Sequence, residues 1–572
     1  MNKREFLNIL AVGAVAGLSP GCSKYGIKQP EKNFYKLDNF GQLRLFHITD
    51  THAQLNPIYF REPDINIGVG EAYGRPPHLV GEKMLDYFNV PTGGRLSHAF
   101  SHINYTDAAL KYGKVGGFAH LSTLVNELKS QYGPENTLFL DGGDTWQGSG
   151  TALWTKGLDM IHACNLLGVD AMTGHWEFTY KDKQVIDNIQ KFKGEFLAQN
   201  VLVKEEALFD DAPAFDEDTG HAFKPYSIKQ VNGKSIAIIG QAFPYTSIAN
   251  PSRFMPDWTF GIRDQALQKI VNEVRAKGAD AVILLSHNGI DVDIKMASRV
   301  AGIDVILGGH THDAVPIPLE VSNSQGKTIV TNAGSNGKFL TVLDLDIGKG
   351  HIKDYSYKLL PVFSNLLEPD LKMQSLIDKE REPYKDILSE KLAVSDQLLY
   401  RRGNFNGTFD QVICDAQRDV LDAQISFSPG FRWGTTVLPG QDITMEHLMD
   451  QTAITYPETY VREMTGDTIK LILEDVCDNL FNKDPYYQQG GDMVRVGGLD
   501  YECNVNADIG NRINKMTLDN GEIIQANKNY KVAGWSQVGS RAEGPPIWEV
   551  VAEYLKDNKT LKINKLNTPK II

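Results

Sequence analysis

A chain of 572 residues is longer than one hydrophobic core usually organises, so two domains are expected. Its apolar fraction of 42% and charged fraction of 23% are those of a globular protein, and a formal net charge of −13 with no compensating Lys/Arg stripe excludes a general binder of nucleic-acid phosphates. Cys164, Cys414, Cys477 and Cys503 are too few and too widely spaced for a disulfide framework or a zinc knuckle, and they read as buried side chains, with pairing of Cys477 and Cys503 left open.

The N-terminus reads as an export signal over residues 1–22. Lys3-Arg4 precede a largely apolar run from Phe6 to Leu18 that is too short to span a membrane, and no charge follows until Lys24. Lys3-Arg4-Glu5-Phe6-Leu7 resembles a twin-arginine export pattern with lysine in the first place. Leu18-Ser19-Pro20-Gly21-Cys22 resembles a lipoprotein cleavage site in which Ser19 stands where leucine is usual, which makes Cys22 a candidate lipid anchor. A polar linker occupies 23–40.

Residues 41–365 read as one α/β domain. Gln42 to Ile48 alternates as a strand and runs into Thr49-Asp50-Thr51-His52. Residues 56–115 form a Gly- and Pro-rich insertion, and a loop of that length is either functional or disordered; its Tyr, Phe and Arg content favours function. Gly116-Gly117 open an amphipathic helix with Leu121, Leu124, Val125 and Leu128 on one face. Strand Thr137–Leu140 ends in Asp141-Gly142-Gly143-Asp144, and short strand Ala171–Thr173 in Gly174-His175-Trp176-Glu177. After the buried strand Ser235–Gly240 and a helix over Asp264–Lys277, strand Ala281–Leu285 ends in Ser286-His287, and Asp304–Leu307 in Gly308-Gly309-His310-Thr311-His312. Five strand-like runs that end in Asp or His beside Gly or a hydroxyl gather polar groups along one edge of a sheet, where open α/β folds bind ligands. Beyond Leu345 the order loosens. Residues 366–390 read as a charged linking segment, helical over Leu371–Asp386, and 391–572 as a second α/β unit with helix Phe409–Leu421, the loop Ser428–Gly434 and helix Thr465–Phe481.

The strand-end candidates for metal ligation are Asp50, His52, Asp144, His175, His287, His310 and His312. Seven oxygen and nitrogen donors without a thiolate exceed the needs of one ion and suit two divalent cations bridged by a carboxylate, with Asp144 as the bridge. Two such ions ~3.5–4 Å apart would make a shared hydroxide available near neutral pH and hold an oxyanion for in-line attack. A structural site would be smaller and closed.

In that order, Asp-x-His, Gly-Asp, the Gly-His-Trp-Glu segment, a strand-end His and Gly-His-x-His resemble the signature of the binuclear calcineurin-like metallophosphatases, and the second unit is similar to the C-terminal domain of 5′-nucleotidases. The resemblance implies an α/β (α+β) chain whose N-terminal domain is a sandwich of two β-sheets flanked by helices. It also implies Asp50, His52, Asp144 and His312 around one metal, and Asp144, His175, His287 and His310 around the other.

One segment departs from the nucleotidase pattern. Gly174-His175-Trp176-Glu177-Phe178-Thr179 stands where nucleotidases carry Gly-Asn-His-Glu-Phe-Asp, so a ligating Asn becomes His175, and both halves of the His/Asp pair that assists the leaving group are replaced, by Trp176 and Thr179. This segment, the long insertion and Lys114-Val115-Gly116-Gly117-Phe118-Ala119-His120-Leu121 resemble the SoxB family of periplasmic dimanganese thiosulfohydrolases. The resemblance implies two Mn(II) ions and release of sulfate from a cysteine S-thiosulfonate on a SoxYZ-like carrier protein, the alternative being an exported 5′-nucleotidase or related phosphoesterase. Asp144, His175, Trp176, Glu177 and Arg432 are then the expected catalytic residues, with Glu177 orienting an imidazole. Arg432, between Phe431 and Trp433, is expected to bind the sulfonate or the carrier arm, with Arg401, Arg402 and Arg495 as weaker versions of the idea. Trp176 is expected to provide an apolar wall beside the sulfur chain and the insertion to dock the carrier, while Phe431 and Tyr501 are the candidate substrate-binding rings that could stack a base on the nucleotidase alternative.

Overall fold

The computed structural model describes residues 34–572; the expected export segment, with Lys3-Arg4 and Cys22, lies outside the described residues. Two six-stranded sheets organise the N-terminal half. Their strands are β1 (Leu43–Ile48), β2 (Thr137–Asp141), β3 (Ala171–Met172), β4 (Glu195–Phe196), β5 (Tyr226–Val231), β6 (Lys234–Gln241), β7 (Ala281–Ser286), β8 (Val305–Gly308), β9 (Leu319–Asn323), β10 (Gly326–Asn332), β11 (Phe339–Ile347) and β12 (Ile352–Pro361). The first sheet runs β12-β11-β1-β2-β3-β4 and the second β9-β10-β8-β7-β6-β5. In each, four neighbouring strands are parallel, so their C-terminal ends open on the same side.

Alternation along β1 shows why two sheets must stack. Leu43 and Leu45 belong to the apolar cluster between the sheets, together with Leu138, Leu140, Ile238, Ile283 and Leu307. Phe46 and Ile48 point the other way and share a cluster with Leu121, Leu124, Val125 and Leu128 of the helix Phe118–Tyr132. The second sheet repeats the arrangement, with Ile239, Val282, Leu284 and Ile306 packed with Leu267, Ile270, Val271 and Val274 of the helix Asp264–Ala276. The inner parallel strands β1, β2, β7 and β8 are buried on both faces, as parallel strands generally are, and each Leu, Ile or Val so enclosed contributes roughly 1.5–3 kcal/mol. The layers are helix, sheet, sheet, helix.

The structure corrects two expectations. The polar strand ends do not line one sheet edge: β1, β2 and β3 carry Asp50, His52, Asp144 and His175 from the first sheet, while β7 and β8 carry His287, His310 and His312 from the second. Periodicity reports which face of a strand is buried and not which strands pair, so one edge and two abutting edges read alike. Nor does order loosen after Leu345, because β11 and β12 form a long antiparallel hairpin. Its edge strand alternates Tyr355, Tyr357 and Leu359 inward with Asp354, Ser356 and Lys358 between them.

The insertion is folded. It holds helices Gly81–Tyr87, Arg95–Phe100 and Tyr105–Tyr112, and Phe60, Leu85, Phe100 and Tyr112 join the inter-sheet cluster. The Phe100 ring stacks on Phe339 of β11 at 5.0 Å, and the buried Lys338 ammonium reaches Glu62 at 2.7 Å. The expected linking helix ends at Arg381 and resumes at Lys385 after a short 3₁₀ turn, since Pro383 has no N–H to donate. The second unit centres on a four-stranded sheet ordered Thr459–Thr465, Asn529–Trp535, Ile425–Ser428, Arg495–Gly497, with helices Thr408–Val420 and Gly466–Phe481 beside it.

A folded insertion makes a definite prediction. Phe100→Ala should cost about 3–5 kcal/mol, as for other large aromatic truncations in cores, and should expose 56–115 to limited proteolysis. A change in stability below about 1 kcal/mol would mean that the insertion lies loosely on the sandwich.

Candidate metal centre

Strand ends converge through unusual backbone. Asp50, His52, Asp144, His310 and His312 all have positive φ, between 46° and 75°, a left-handed conformation that non-glycine residues rarely adopt. Each such residue costs of order 1–3 kcal/mol and persists only where its surroundings hold it. Here the loops after β1 and β2 are stitched by Asp50 N–H to Gly143 O at 2.8 Å and His52 N–H to Asp144 O at 2.9 Å. The Asp50 carboxylate accepts from His310 N–H at 3.0 Å and from the Thr49 hydroxyl at 2.6 Å, which joins the two sheets at their rim. A Cβ on Gly309 would collide with Thr49 Oγ1 and sit 3.0 Å from His287 Nδ1, so this close approach requires glycine.

The seven expected residues are brought together. Asp144, His175, His287 and His310 form one group and Asp50, His52, Asp144 and His312 another, with the ligand atoms of each group within 4.8 Å of one another and every residue buried. Asp144 belongs to both. Its Oδ2 lies 3.0 Å from His287 Nε2, 3.3 Å from His175 Nδ1 and 3.8 Å from His52 Nε2, while its Oδ1 accepts from Trp176 N–H at 2.7 Å. His52 Nε2 and His312 Nε2 are 3.0 Å apart.

Donor chemistry and tautomers fit divalent cations. His287 Nδ1 is 2.6 Å from Gly142 O and His52 Nδ1 is 3.2 Å from Gln147 O; a carbonyl only accepts, so Nδ1 carries a proton in each ring and Nε2 is the atom left to face the centre. Burial removes water from His52, His175, His310 and His312 and holds each below the ordinary imidazole range, His52 at about 4, so these rings are neutral and able to ligate. For His287 burial acts the same way, but Asp144 and Asp50 outweigh it and raise the ring to about 10. Burial would raise Asp144, yet His175 and His287 keep it well below the usual carboxylate range. The buried Nε2 atoms of His175 and His310 have no hydrogen-bond partner among the described residues. Two His/Asp clusters sharing one carboxylate fit a dinuclear metallophosphatase site.

Glu177 does not orient an imidazole. Its buried carboxylate accepts four backbone N–H groups, from His175 at 2.8 Å, Thr145 at 2.7 Å, Asp144 at 3.2 Å and Trp146 at 3.2 Å. It therefore clamps the loop after β2 to the loop after β3. Sequence could place Glu177 near the centre but could not show that its partners are main chain.

Around the centre, Trp176 is buried with its ring 4.9 Å from His175, 5.1 Å from Trp433 and 5.4 Å from Phe431. Phe431 and Trp433 stack at 4.0 Å, and Trp433 lies 5.5 Å from His52. Thr179 hydrogen-bonds Thr455 across the two units at 2.6 Å. Arg432 reaches the site: it donates to His310 O at 3.2 Å and Gly491 O at 2.6 Å and pairs with Asp492 at 3.4 Å. Arg402 donates to Thr311 O at 2.9 Å and lines a cleft with His310, Arg432 and His78. Arg401 and Arg495 are instead buried in ion pairs with Asp410, and Arg495 also with Asp492, so they brace the second unit. Tyr501 is not at the site. Its ring is buried with Ile469, Leu473 and Cys477 in the core of the second unit, on a strand whose inward face alternation alone would have assigned.

Phe243 carries no signal that sequence reasoning by polarity picks up. Its ring is 4.1 Å from both His175 and His310, and it follows β6 at the position where the other strands place Asp or His. Counting from the strand end, without regard to polarity, would find it.

Comparison with known proteins gives this geometry its family. Residues 43–314 match the calcineurin-like phosphoesterase family and residues 392–552 the 5′-nucleotidase C-terminal domain. The structure of the sulfate thiohydrolase SoxB from Thermus thermophilus superposes with a TM-score of 0.88 at 36% identity, covering 94% of this chain and 98% of that one. The chain belongs to the SoxB family. The two family matches set it within the 5′-nucleotidase and binuclear metallophosphatase superfamily. A 5′-nucleotidase precursor, also from Thermus thermophilus, superposes with a TM-score of 0.72 over 93% of this chain and 99% of its own, and its 22% identity speaks to fold alone. The trifunctional nucleotide phosphoesterase YfkN of Bacillus subtilis is 27% identical over 507 residues, 80% of this chain but only 33% of that longer protein.

Two variants separate ligation from scaffolding at this SoxB-family centre. Asp144→Ala should abolish loading of both metals, read by elemental analysis, because it strips the shared donor. Glu177→Gln should keep the fold but lower metal affinity about 10–100-fold, as loss of an orienting partner typically does. Full metal occupancy in the first variant, or unchanged affinity in the second, would contradict these roles.

Proposed function

We propose that this protein is a dinuclear metal-dependent hydrolase that cleaves the terminal sulfonate from a cysteine S-thiosulfonate on a sulfur carrier protein and releases sulfate. The observation that carries this reading is Trp176, which by resemblance occupies the place of the nucleotidase proton donor and packs with Phe431 and Trp433 into an aromatic wall. The 36% identity with a sulfate thiohydrolase over nearly the whole chain supports it.

Asp50, His52, Asp144 and His312 would hold one cation and Asp144, His175, His287 and His310 the other, with manganese assigned by family resemblance. Two divalent cations there supply a water acidic enough to attack near neutral pH, and positive charge for the developing oxyanion. The chain's own residues do the rest. Asp144 is fixed by the Trp176 amide so that Oδ2 serves both clusters, and the carbonyls of Gln147 and Gly142 keep His52 and His287 in the ligating tautomer. Arg432, braced by Asp492, offers a guanidinium to the sulfonate oxygens beside His310. The water oxygen would bond to the sulfonate sulfur as the S–S bond breaks, leaving sulfate and a persulfide anion on the carrier while the water's two protons pass to solvent. That anion is a weak base, so no side chain need protonate it, and an apolar wall suits the sulfur chain better than an acid. The insertion, with Tyr73, Tyr87 and Leu110 exposed, supplies the approach surface for a protein-borne substrate. The export-like N-terminus supports a periplasmic location with Cys22 as a candidate lipid anchor, and no helix among the described residues is long and apolar enough to cross a membrane.

The second reading, an exported 5′-nucleotidase or related phosphoesterase, is favoured by the match of residues 392–552 to the nucleotidase C-terminal domain. Assaying the metal-loaded protein with carrier-bound thiosulfonate, AMP and UDP-sugars distinguishes the two. Sulfate release with negligible phosphate release is expected, and the reverse would sink the proposal. Replacing Trp176 and Thr179 together with His and Asp should lower carrier hydrolysis and raise turnover of an aryl phosphate with a poor leaving group, where a positioned acid is typically worth ~10²–10⁴-fold. If neither rate moves, these positions do not decide the chemistry.

A further inference from the structure

Away from the metal centre, two buried sulfurs meet in the second unit. Cys477 lies on the buried face of the helix Gly466–Phe481, in line with Ile469, Leu473 and Phe481, and Cys503 ends the strand Leu499–Cys503. Their Sγ atoms are 3.5 Å apart, and both residues are fully buried. Neighbours on each side fix their positions. Glu474, one turn before Cys477, accepts N–H groups from Gly510, Arg512 and Ile513 at 2.7, 3.2 and 2.8 Å, and Ile513 pairs directly with Cys503 across the sheet. Cys503 also pairs with Ile571 on the C-terminal strand.

We propose that Cys477 and Cys503 form a structural disulfide that anchors the root of the segment covering the metal centre. That segment follows the helix directly. Asp484 pairs with Lys295, Tyr486 O accepts from the Tyr245 hydroxyl, and the Lys295 ammonium sits 4.0 Å above the Tyr486 ring. Gly490 then packs over the His310 ring so closely that a Cβ there would collide with Nε2, and Gly491 O receives Arg432 at 2.6 Å. A covalent tie one turn before Phe481 fixes where this segment starts, and with it the cover over His310 and the brace on Arg432.

The chemistry is thiol–disulfide exchange. Either cysteine can attack first, and Cys503 is taken as the attacking sulfur. Its thiolate attacks an external disulfide, of the low-molecular-weight or dithiol-oxidase class, and expels one thiol. Cys477 then loses its proton and attacks the mixed disulfide, expelling the second thiol. Two electrons and two protons leave the pair, and one S–S bond is gained. Since both sulfurs are buried, exchange belongs to the folding chain, before the helix seats on the sheet.

The test uses the full-length protein, folded with oxidised glutathione, unfolded in the presence of an alkylating reagent and peptide-mapped. A linked peptide pair containing Cys477 and Cys503 is expected, with Cys164 and Cys414 alkylated. Reduction should lower Tm by on the order of 5–10 °C, the effect of opening a loop of this size, and speed hydrogen exchange in 482–491. The Cys477→Ser/Cys503→Ser double variant should melt with the reduced protein and ignore reductant. Alkylation of both cysteines in the unreduced wild-type protein would overturn the proposal without reference to any variant, and so would linkage of either one to Cys164 or Cys414.

Discussion

One buried carboxylate holds the ligand-bearing loops of the first sheet in place. Glu177 accepts the amides of Asp144, Thr145, Trp146 and His175, and those amides belong to the turns that aim Asp144 and His175 at the centre. Burial pushes its carboxyl upward and the nearby Asp144 adds to the effect, while the amide donors oppose both. Removing such an acceptor leaves several buried N–H groups unpaired, each worth about 1–3 kcal/mol, in turns that are already strained at Asp144. The strain explains why so many hydrogen bonds converge here: positive-φ backbone aims these side chains inward, and only an over-determined frame keeps it.

The second unit completes this frame. Arg432 donates to the carbonyl of His310 and is steadied by Asp492; Asp492 is paired with Arg495, Arg495 with Asp410, and Asp410 with Arg401. All but Arg432 are almost wholly enclosed. Such a chain of buried charges contributes little net stability, because desolvation offsets most of the attraction, but breaking any link strands a charge at a cost of about 3–5 kcal/mol. Its use is geometric: it delivers one guanidinium to the rim of the centre at a fixed distance from His310.

On the proposed function, Trp176 and Thr179 adapt a shared scaffold to a different leaving group. An alkoxide needs a proton as it departs, whereas a sulfane anion does not, so under that proposal Trp176 would supply apolar wall where a nucleotidase holds an acid. Thr179 serves contact between the units through Thr455. The ligand clusters are unaffected by this exchange, since the Trp176 backbone amide, rather than its side chain, is what holds Asp144.

Much of this was legible in the sequence. Alternation and strand-end chemistry located β1, β2, β7 and β8 to within a residue or two and singled out all seven side chains that the structure gathers, because a turn ending a buried strand tolerates Asp and His only where something needs them. Local sequence also named Trp176 and Thr179. It did not reveal that the donors come from two sheets, that Glu177 grips main chain, that Phe243 lies against two of the imidazoles, that Tyr501 is core, or that Cys477 and Cys503 touch. Each of these depends on which distant segments pack together. Hydrophobic period records that a side chain is buried but not against what, and only the tertiary structure, by fixing strand order and the docking of the second unit, decided the partners.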